Sequence, residues 1–193
     1  MSIVHIVGKG PTAKYLNHSD YPNDIFVAIN QAVMFMDEVD YLFANDIEGL
    51  IGIPDEKYDH VKNIAIPEHP HLDGTPRKDV TYEVVKNKLK HKNLNYIIYN
   101  LHTWKTPNPD LVTPEGAIST GGMAIGYFLK YKNIKHFEAY GIGSDEGYNK
   151  DVYKHIPQEN VRFEKNWKTK RINNLRHSIL TITKKYGATI NFN

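Results

Sequence analysis

The chain has 193 residues, 40% of them hydrophobic and 24% charged, which is the balance of an ordinary globular protein and not of a disordered or fibrous one. Lys and Arg number 24 against 22 Asp and Glu, and a net charge of +2 does not mark a dedicated nucleic-acid binder. There is no Cys, so a disulfide scaffold, a zinc ribbon, an iron–sulfur site and a cysteine nucleophile are excluded.

Residues Ile3 to Val7 form a short apolar run that predicts a buried strand ending in the turn Gly8-Lys9-Gly10-Pro11-Thr12. Thr12 is placed to N-cap a helix reaching about Asn17. Asp24 to Ile29 predicts a second strand that ends at Asn30-Gln31, with a short helix over Ala32 to Met36. Val39 to Ala44 predicts a third, ending at Asn45-Asp46, and Val61 to Ile66 a fourth, stopped by Pro67. Glu68 to Asp79 reads as an exposed loop, Val80 to Lys92 as a helix, and Tyr96 to Tyr99 as a strand. Thr106 to Glu115 carries three prolines and reads as a loop. A helix is predicted over Ser119 to Lys130 and a strand over His136 to Gly141. The polar, Tyr- and Lys-rich stretch of about 143–167 has no clear period and suits a lid over a site. Lys168 to Lys185 is helical, with Ile172, Leu175, Ile179, Leu180 and Ile182 as its buried stripe. Gly187 falls where a left-handed C-terminal glycine belongs, and Ala188 to Phe192 closes the chain as a strand.

Strands thus alternate with helices from end to end. The pattern predicts one α/β domain over residues 1–193, doubly wound around a mainly parallel, Rossmann-like sheet. Ligands of such sheets bind beyond the carboxyl ends of the strands, and polar, turn-forming residues collect at those points here. No apolar run reaches the roughly 18–20 residues of a membrane span. The N-terminus lacks the basic and long apolar regions of a signal peptide, so a soluble, cytoplasmic protein is expected.

Gly8, Gly10 and Thr12 would let a phosphate approach the backbone at the start of a helix. The turn matches neither the dinucleotide fingerprint nor a Walker A loop, which disfavours a nicotinamide enzyme and a P-loop kinase. On this reading a Gly10→Val change blocks the phosphate and leaves the fold largely intact. Asn30, Gln31 and Asn45 carry both donors and acceptors and suit the edges of a base or ribose; capping of helices is the plainer role for the same residues. Ser119, Thr120 and Gly121 are a second anion or ribose cradle, or equally an N-cap packed closely on the sheet. His69 and His71 lack a third ligand at a recognisable spacing, so no metal site is expected. Of His102, His155 and His177, His155 lies in the polar segment after the sixth strand and is the first candidate for a general base. Lys165, Lys168, Lys170, Arg171 and Arg176 form a basic run that reads as a solvated face or as an anion contact.

The opening Ile-Val-Gly-Lys-Gly-Pro-Thr resembles the strand–turn of the bacterial sialyltransferases that modify lipooligosaccharide. The runs Val27 to Gln31, Phe43 to Asp46, Ser119 to Gly121, Ile134 to Ile142 and Tyr186 to Asn191 resemble that family's later motifs, in order over most of the chain. The resemblance implies a Rossmann-like glycosyltransferase with a CMP-activated sugar as donor, an unidentified acceptor and no required metal or cofactor. Gly8, Gly10, Asn30, Gln31, Asn45, Ser119, Thr120 and Gly121 would then line the nucleotide pocket. Tyr148 and Tyr153 stand for the family's two phosphate-holding tyrosines. Gly143 replaces its aspartate, and Trp167 to Lys170 occupies the place of its catalytic histidine. A non-catalytic nucleotide-binding module and a Mg²⁺-dependent diphosphokinase-like transferase using Asp46 or Asp145 are the alternative readings.

Overall fold

Strands covered on both faces need apolar residues at successive positions, as Ile25–Ile29 supplies, whereas the strand at the sheet edge, Thr189–Phe192, alternates apolar with exposed polar residues. A computed structural model describes residues 2–68, 81–100, 112, 119–142 and 168–193. The strands are β1 (Val4–Val7), β2 (Ile25–Ile29), β3 (Val39–Phe43), β4 (Val61–Pro67), β5 (Asn95–Tyr99), β6 (His136–Tyr140) and β7 (Thr189–Phe192). They form one seven-stranded sheet in the order β5-β4-β3-β2-β1-β6-β7, and every pairing is parallel. The helices are α1 (Ile47–Ile51), α2 (Tyr82–Lys88), α3 (Thr120–Tyr127) and α4 (Lys168–Lys185). The doubly wound α/β fold is therefore the one the strand–helix alternation predicts. No helix among the described residues is long and apolar enough to cross a membrane.

The strand order decides which face each connection covers. From β1 to β5 the chain steps in one direction, and its connections pack Ala32, Val33, Leu50, Tyr58 and Val85 against Ala28, Leu42, Ile64 and Ile66. It then returns to the far side of β1 and steps the other way, and α3 and α4 pack Ile125, Phe128, Ile179 and Ile182 against Val4, Ile6, Val27 and Phe43. Right-handed crossovers require this change of face when the direction reverses. All eight residues of α3 are buried, as suits a helix lodged between a sheet and a second helix.

Local chemistry departs from the sequence reading at several points. Thr12 caps no helix. Pro11–Tyr15 is a short 3-10 turn headed by Gly10, and the Thr12 hydroxyl instead accepts the Gly141 N–H at 2.7 Å. The predicted helix after β2 is a 3-10 turn, Asn30–Phe35. Helix α1 lies in the interval between β3 and β4, for which the sequence reading named no element, and Lys88 of α2 supports its end. The Lys88 ammonium donates to the Ile51 and Ile53 carbonyls at 2.7 Å each, which satisfies the end of α1 and the turn beyond it. In α4, Leu180 is 49% exposed, contrary to the predicted stripe. Ile179, Ile182 and Thr183 face inward, because positions three and four apart share a face and Leu180 is a quarter-turn away. Thr183 is tolerated there because its hydroxyl bonds to the Ile179 carbonyl at 3.1 Å. Gly187 adopts φ +60°, the left-handed conformation predicted for it.

At the amino ends of β1 and β2 a buried polar pair ties the two strands. His5 is fully buried, stacks on Phe26 and sets its Nε2 3.0 Å from the Asp24 carboxylate. The other Asp24 oxygen accepts the Ile3 N–H at 3.0 Å. Burial alone would push the Asp24 carboxyl up, but the Ile3 N–H and the His5 ring outweigh it and hold it below the ordinary carboxylate value. Burial pushes the nearby His18 imidazole below its ordinary value of 6.5. Between the folded and unfolded values of each group the unfolded chain binds more protons, so acid destabilises the fold. Urea midpoints measured against pH are expected to fall in two steps. The first begins as pH drops below 6.5 and is absent in His18→Phe. The second begins below 3.8 and is reduced in Asp24→Asn, leaving the share of exposed Asp59, which Lys92 also holds low.

Candidate functional site

The direction of winding reverses between β1 and β6, and in open α/β sheets this is where strand ends leave a crevice. The turn after β1 and the turn after β6 meet there, backbone against backbone. The Gly8 N–H donates to the Tyr140 carbonyl at 2.7 Å and the Gly10 N–H to the Gly141 carbonyl at 2.8 Å. A Cβ on Gly8 would lie 2.5 Å from the Gly141 oxygen, and one on Gly10 2.8 Å from the Gly141 Cα. Gly141 itself has φ +63°. The two glycines of the first turn are thus required by Gly141, whatever else they do. Their N–H groups are engaged by β6 and are not open to a phosphate, and the five-residue turn that follows has little dipole to offer. The cation at this turn is Lys9, which the sequence reading passed over.

The same contact links the two glycine-bearing motifs. Ile142 follows Gly141, and its Cδ1 lies 3.5 Å from where a Cβ on Gly121 would sit. That is ordinary contact distance, so Gly121 is not demanded by packing. Ser119 is the N-cap of α3, its hydroxyl accepting the Gly122 N–H at 3.1 Å, and Thr120 is buried. The Thr120 and Gly121 N–H groups head the helix.

The amides at the next two strand ends do not cap helices. Asn30 adopts φ +52°, which asparagine tolerates better than most residues. It is 8% exposed, and its Oδ1 is buried with no hydrogen-bond partner. Gln31 is 5% exposed, and its Oε1 accepts from the Lys9 ammonium at 3.1 Å. The Gln31 Nε2 rests against Gly49 of α1, where a Cβ would be 2.1 Å away, so Gly49 is what admits the amide. Asn45, half-buried after β3, has its side-chain amide on the hydroxyl of Tyr99, which also reaches the Ala44 carbonyl at 3.0 Å. Tyr99 is fully buried at the end of β5.

The sheet therefore brings Gly8, Gly10, Thr12, Asn30, Gln31, Asn45, Ser119, Thr120 and Gly121 to one edge, the carboxyl ends of β1, β2 and β3 and the start of α3. Lys9, Gly49, Tyr99 and Gly141 join them; the sequence places Lys9 and Gly141 at these strand ends, but it marks none of the four as a site residue. A Gly at the end of β6 and a Tyr at the end of β5 were the available signals. The candidate catalytic residues His155, Tyr148 and Tyr153 lie outside the described residues, as do His69, His71, His102, Asp145 and Lys165. His177 is exposed on α4, and Arg176 of the basic run lies over the Phe192 ring at 5.3 Å. Two hollows, one bordered by Phe137 and Thr189 and one by Ser2 and Asn133, lie at the opposite end of the sheet and contain none of the candidate residues. No family model matches the chain, and no curated protein and no solved structure matches it.

The close approach at Gly141 changes the expectation for Gly10. Gly10→Val must displace the β6 turn and is expected to cost about 1–3 kcal/mol of stability, as overpacking does, so lost ligand binding in that variant reports on the fold. Gly121→Ala meets only ordinary contact and gains helix propensity, so its melting temperature is expected to stay level or rise. Thermal melts of the two variants side by side check both.

Proposed function

We propose that this chain binds a nucleotide across the carboxyl ends of β1, β2 and β3, and that it is a sugar transferase using a CMP-activated donor. The observation that carries the binding part is Asn30. A nine-tenths-buried amide in a left-handed conformation leaves its acceptor unpaired among the described residues, at a cost of about 1–3 kcal/mol, and a ligand donor would satisfy it. Its neighbours Gln31 and Asn45 are amides too, each held in place by another side chain. Lys9 supplies positive charge beside the first turn, and the N-terminus of α3 offers the anion-favouring end of a helix. The donor type and the transfer itself rest on the resemblance to the lipooligosaccharide sialyltransferases.

In the transfer, the acceptor oxygen bonds to the anomeric carbon as the bond from that carbon to the phosphate oxygen breaks. The electron pair leaves with the nucleotide monophosphate, and the acceptor proton passes to a base. His155 is the proposed base, and the Tyr148 and Tyr153 hydroxyls donate to the departing phosphate.

A thermal-shift panel of CMP, UMP, AMP and GMP tests the binding part. CMP at about 100 times its Kd is expected to add roughly 2.7 kcal/mol of stability. No response to any of the four overturns the nucleotide reading; a response to another base overturns only the cytidine part. Asn30→Gly separates a ligand contact from a structural one. Glycine accepts φ +52° freely and removes the unpaired acceptor, so stability is expected to hold or rise while CMP binding falls at least tenfold.

Donor consumption at saturating CMP-sugar tests the chemistry. His155→Ala is expected to lower kcat by roughly 10²–10⁴-fold with little change in nucleotide affinity. Tyr148→Phe and Tyr153→Phe are each expected to cost less, because each removes one of several donors. Full activity in His155→Ala dismisses it as the base, and a loss confined to His177→Ala moves the base to α4.

A further inference from the structure

Tyr99 has a single hydroxyl proton and, as the atoms stand, two oxygens to give it to. Its Oη lies 3.0 Å from the Ala44 carbonyl oxygen and within hydrogen-bond reach of the Asn45 Oδ1. Shared between both, one proton makes two weakened bonds, and two oxygens with no proton between them repel. The oxygen and nitrogen of an amide exchange places by a half-turn that leaves the heavy-atom outline unchanged, so the hydrogen-bond network decides which is which. With Nδ2 turned to Tyr99, every group is satisfied. The hydroxyl donates to the Ala44 carbonyl and accepts an Asn45 N–H. Burial, with Asp46 nearby, keeps the Tyr99 phenol protonated by holding it well above its ordinary value. The surroundings leave Tyr99 no second orientation, because the ring is fully buried and stacks beside Phe43.

We propose that Tyr99 is a positioning residue that locks the Asn45 amide with its carbonyl oxygen turned to the site, so that this position accepts a hydrogen bond and selects a donor on the ligand. The inference rests on the nucleotide reading above and adds to it the polarity of one contact. Two groups of a cytidine nucleotide could supply the donor: the exocyclic amine of the base and a ribose hydroxyl. Uracil offers a carbonyl where cytosine offers the amine, and a fixed acceptor rejects it because two oxygens would face each other. A freely rotating Asn would accept either, since it could present its own NH₂ instead. The preference therefore resides in Tyr99, which touches no ligand, as much as in Asn45.

The lock is tested without ligand first. In the ¹⁵N-labelled full chain, the Asn45 side-chain NH₂, assigned by its loss in Asn45→Asp, is expected to exchange with solvent at least about tenfold more slowly than the NH₂ of exposed Asn23. Exchange at the Asn23 rate in the unmutated protein overturns the lock. In Tyr99→Phe the protection is expected to vanish. The selection is then read by calorimetric titration with CMP, UMP and 2′-deoxy-CMP. The unmutated protein is expected to bind CMP about tenfold more tightly than the ligand lacking the donor, the worth of one hydrogen bond. A deficit with UMP identifies the amine and a deficit with 2′-deoxy-CMP the hydroxyl. Tyr99→Phe is expected to bring the ratio below about threefold, mainly by improving the disfavoured ligand. A merely structural Tyr99 would weaken all three ligands alike and leave the ratio unchanged, and that result overturns the selection. If none of the three binds, the nucleotide reading falls and the selection falls with it, while the exchange measurement decides the lock on its own.

Discussion

The backbone of the β1 turn lies against the backbone of the β6 turn with no room for a side chain between them. Gly8 and Gly10 on one side and Gly141 on the other make this contact, and two N–H groups cross it to carbonyl oxygens of β6. The sheet reverses its winding at this pair of strands, so the contact is what closes the two halves of the molecule on each other. Thr12 reinforces it from outside the ladder by accepting the Gly141 N–H. Ile142 follows Gly141 and lies beside Gly121 near the start of α3.

From that fixed point the polar row is assembled by neighbours, one strand at a time. Lys9 leaves the first turn and holds the Gln31 oxygen; Gln31 in turn rests on Gly49 at the start of the next connection. Asn45 is held by Tyr99 from two strands away. Each amide therefore has one polar end engaged by the protein and another left for something else. Asn30 is the exception, since its buried oxygen has no partner among the described residues. A buried acceptor left unpaired beside amides that the protein holds is a deficit of the kind ligand sites tolerate, and His5 Nδ1, His18 Nε2, Tyr96 Oη and Arg176 Nε share it elsewhere among the described residues.

The opposite end of the sheet is built on different terms. His5, Asp24 and the Ile3 N–H form a buried polar knot at the amino ends of β1 and β2. Asp40 does similar work at β3, where its carboxylate accepts the Phe26 N–H and pairs with exposed Lys62. These groups join strands, although the second ring nitrogen of His5, Nδ1, and the nearby His18 Nε2 are buried without a partner among the described residues. What distinguishes the carboxyl ends is the row of amides, Asn30, Gln31 and Asn45, gathered at neighbouring strand ends.

Much of this was readable in order along the chain. Seven β-rich runs separated by helical or turn-forming segments determined a parallel, doubly wound sheet, because strands covered on both faces must be apolar throughout and parallel neighbours need crossovers. The position of Asn30, Gln31 and Asn45 at strand ends, the bounds of α4 and the left-handed Gly187 followed from the same local rules. What sequence could not show is which residues meet across the sheet. Tyr99 and Asn45 are 54 positions apart, and Thr12 and Gly141 are 129 apart. Hydrophobic periodicity reports which face of an element is buried and carries no record of strand order. Only the order β5-β4-β3-β2-β1-β6-β7 brings those pairs together. It is likewise the strand order that turned Gly8 and Gly10 from residues a phosphate would need into residues that Gly141 needs, since the backbone lying against them belongs to a strand more than a hundred residues further along the chain.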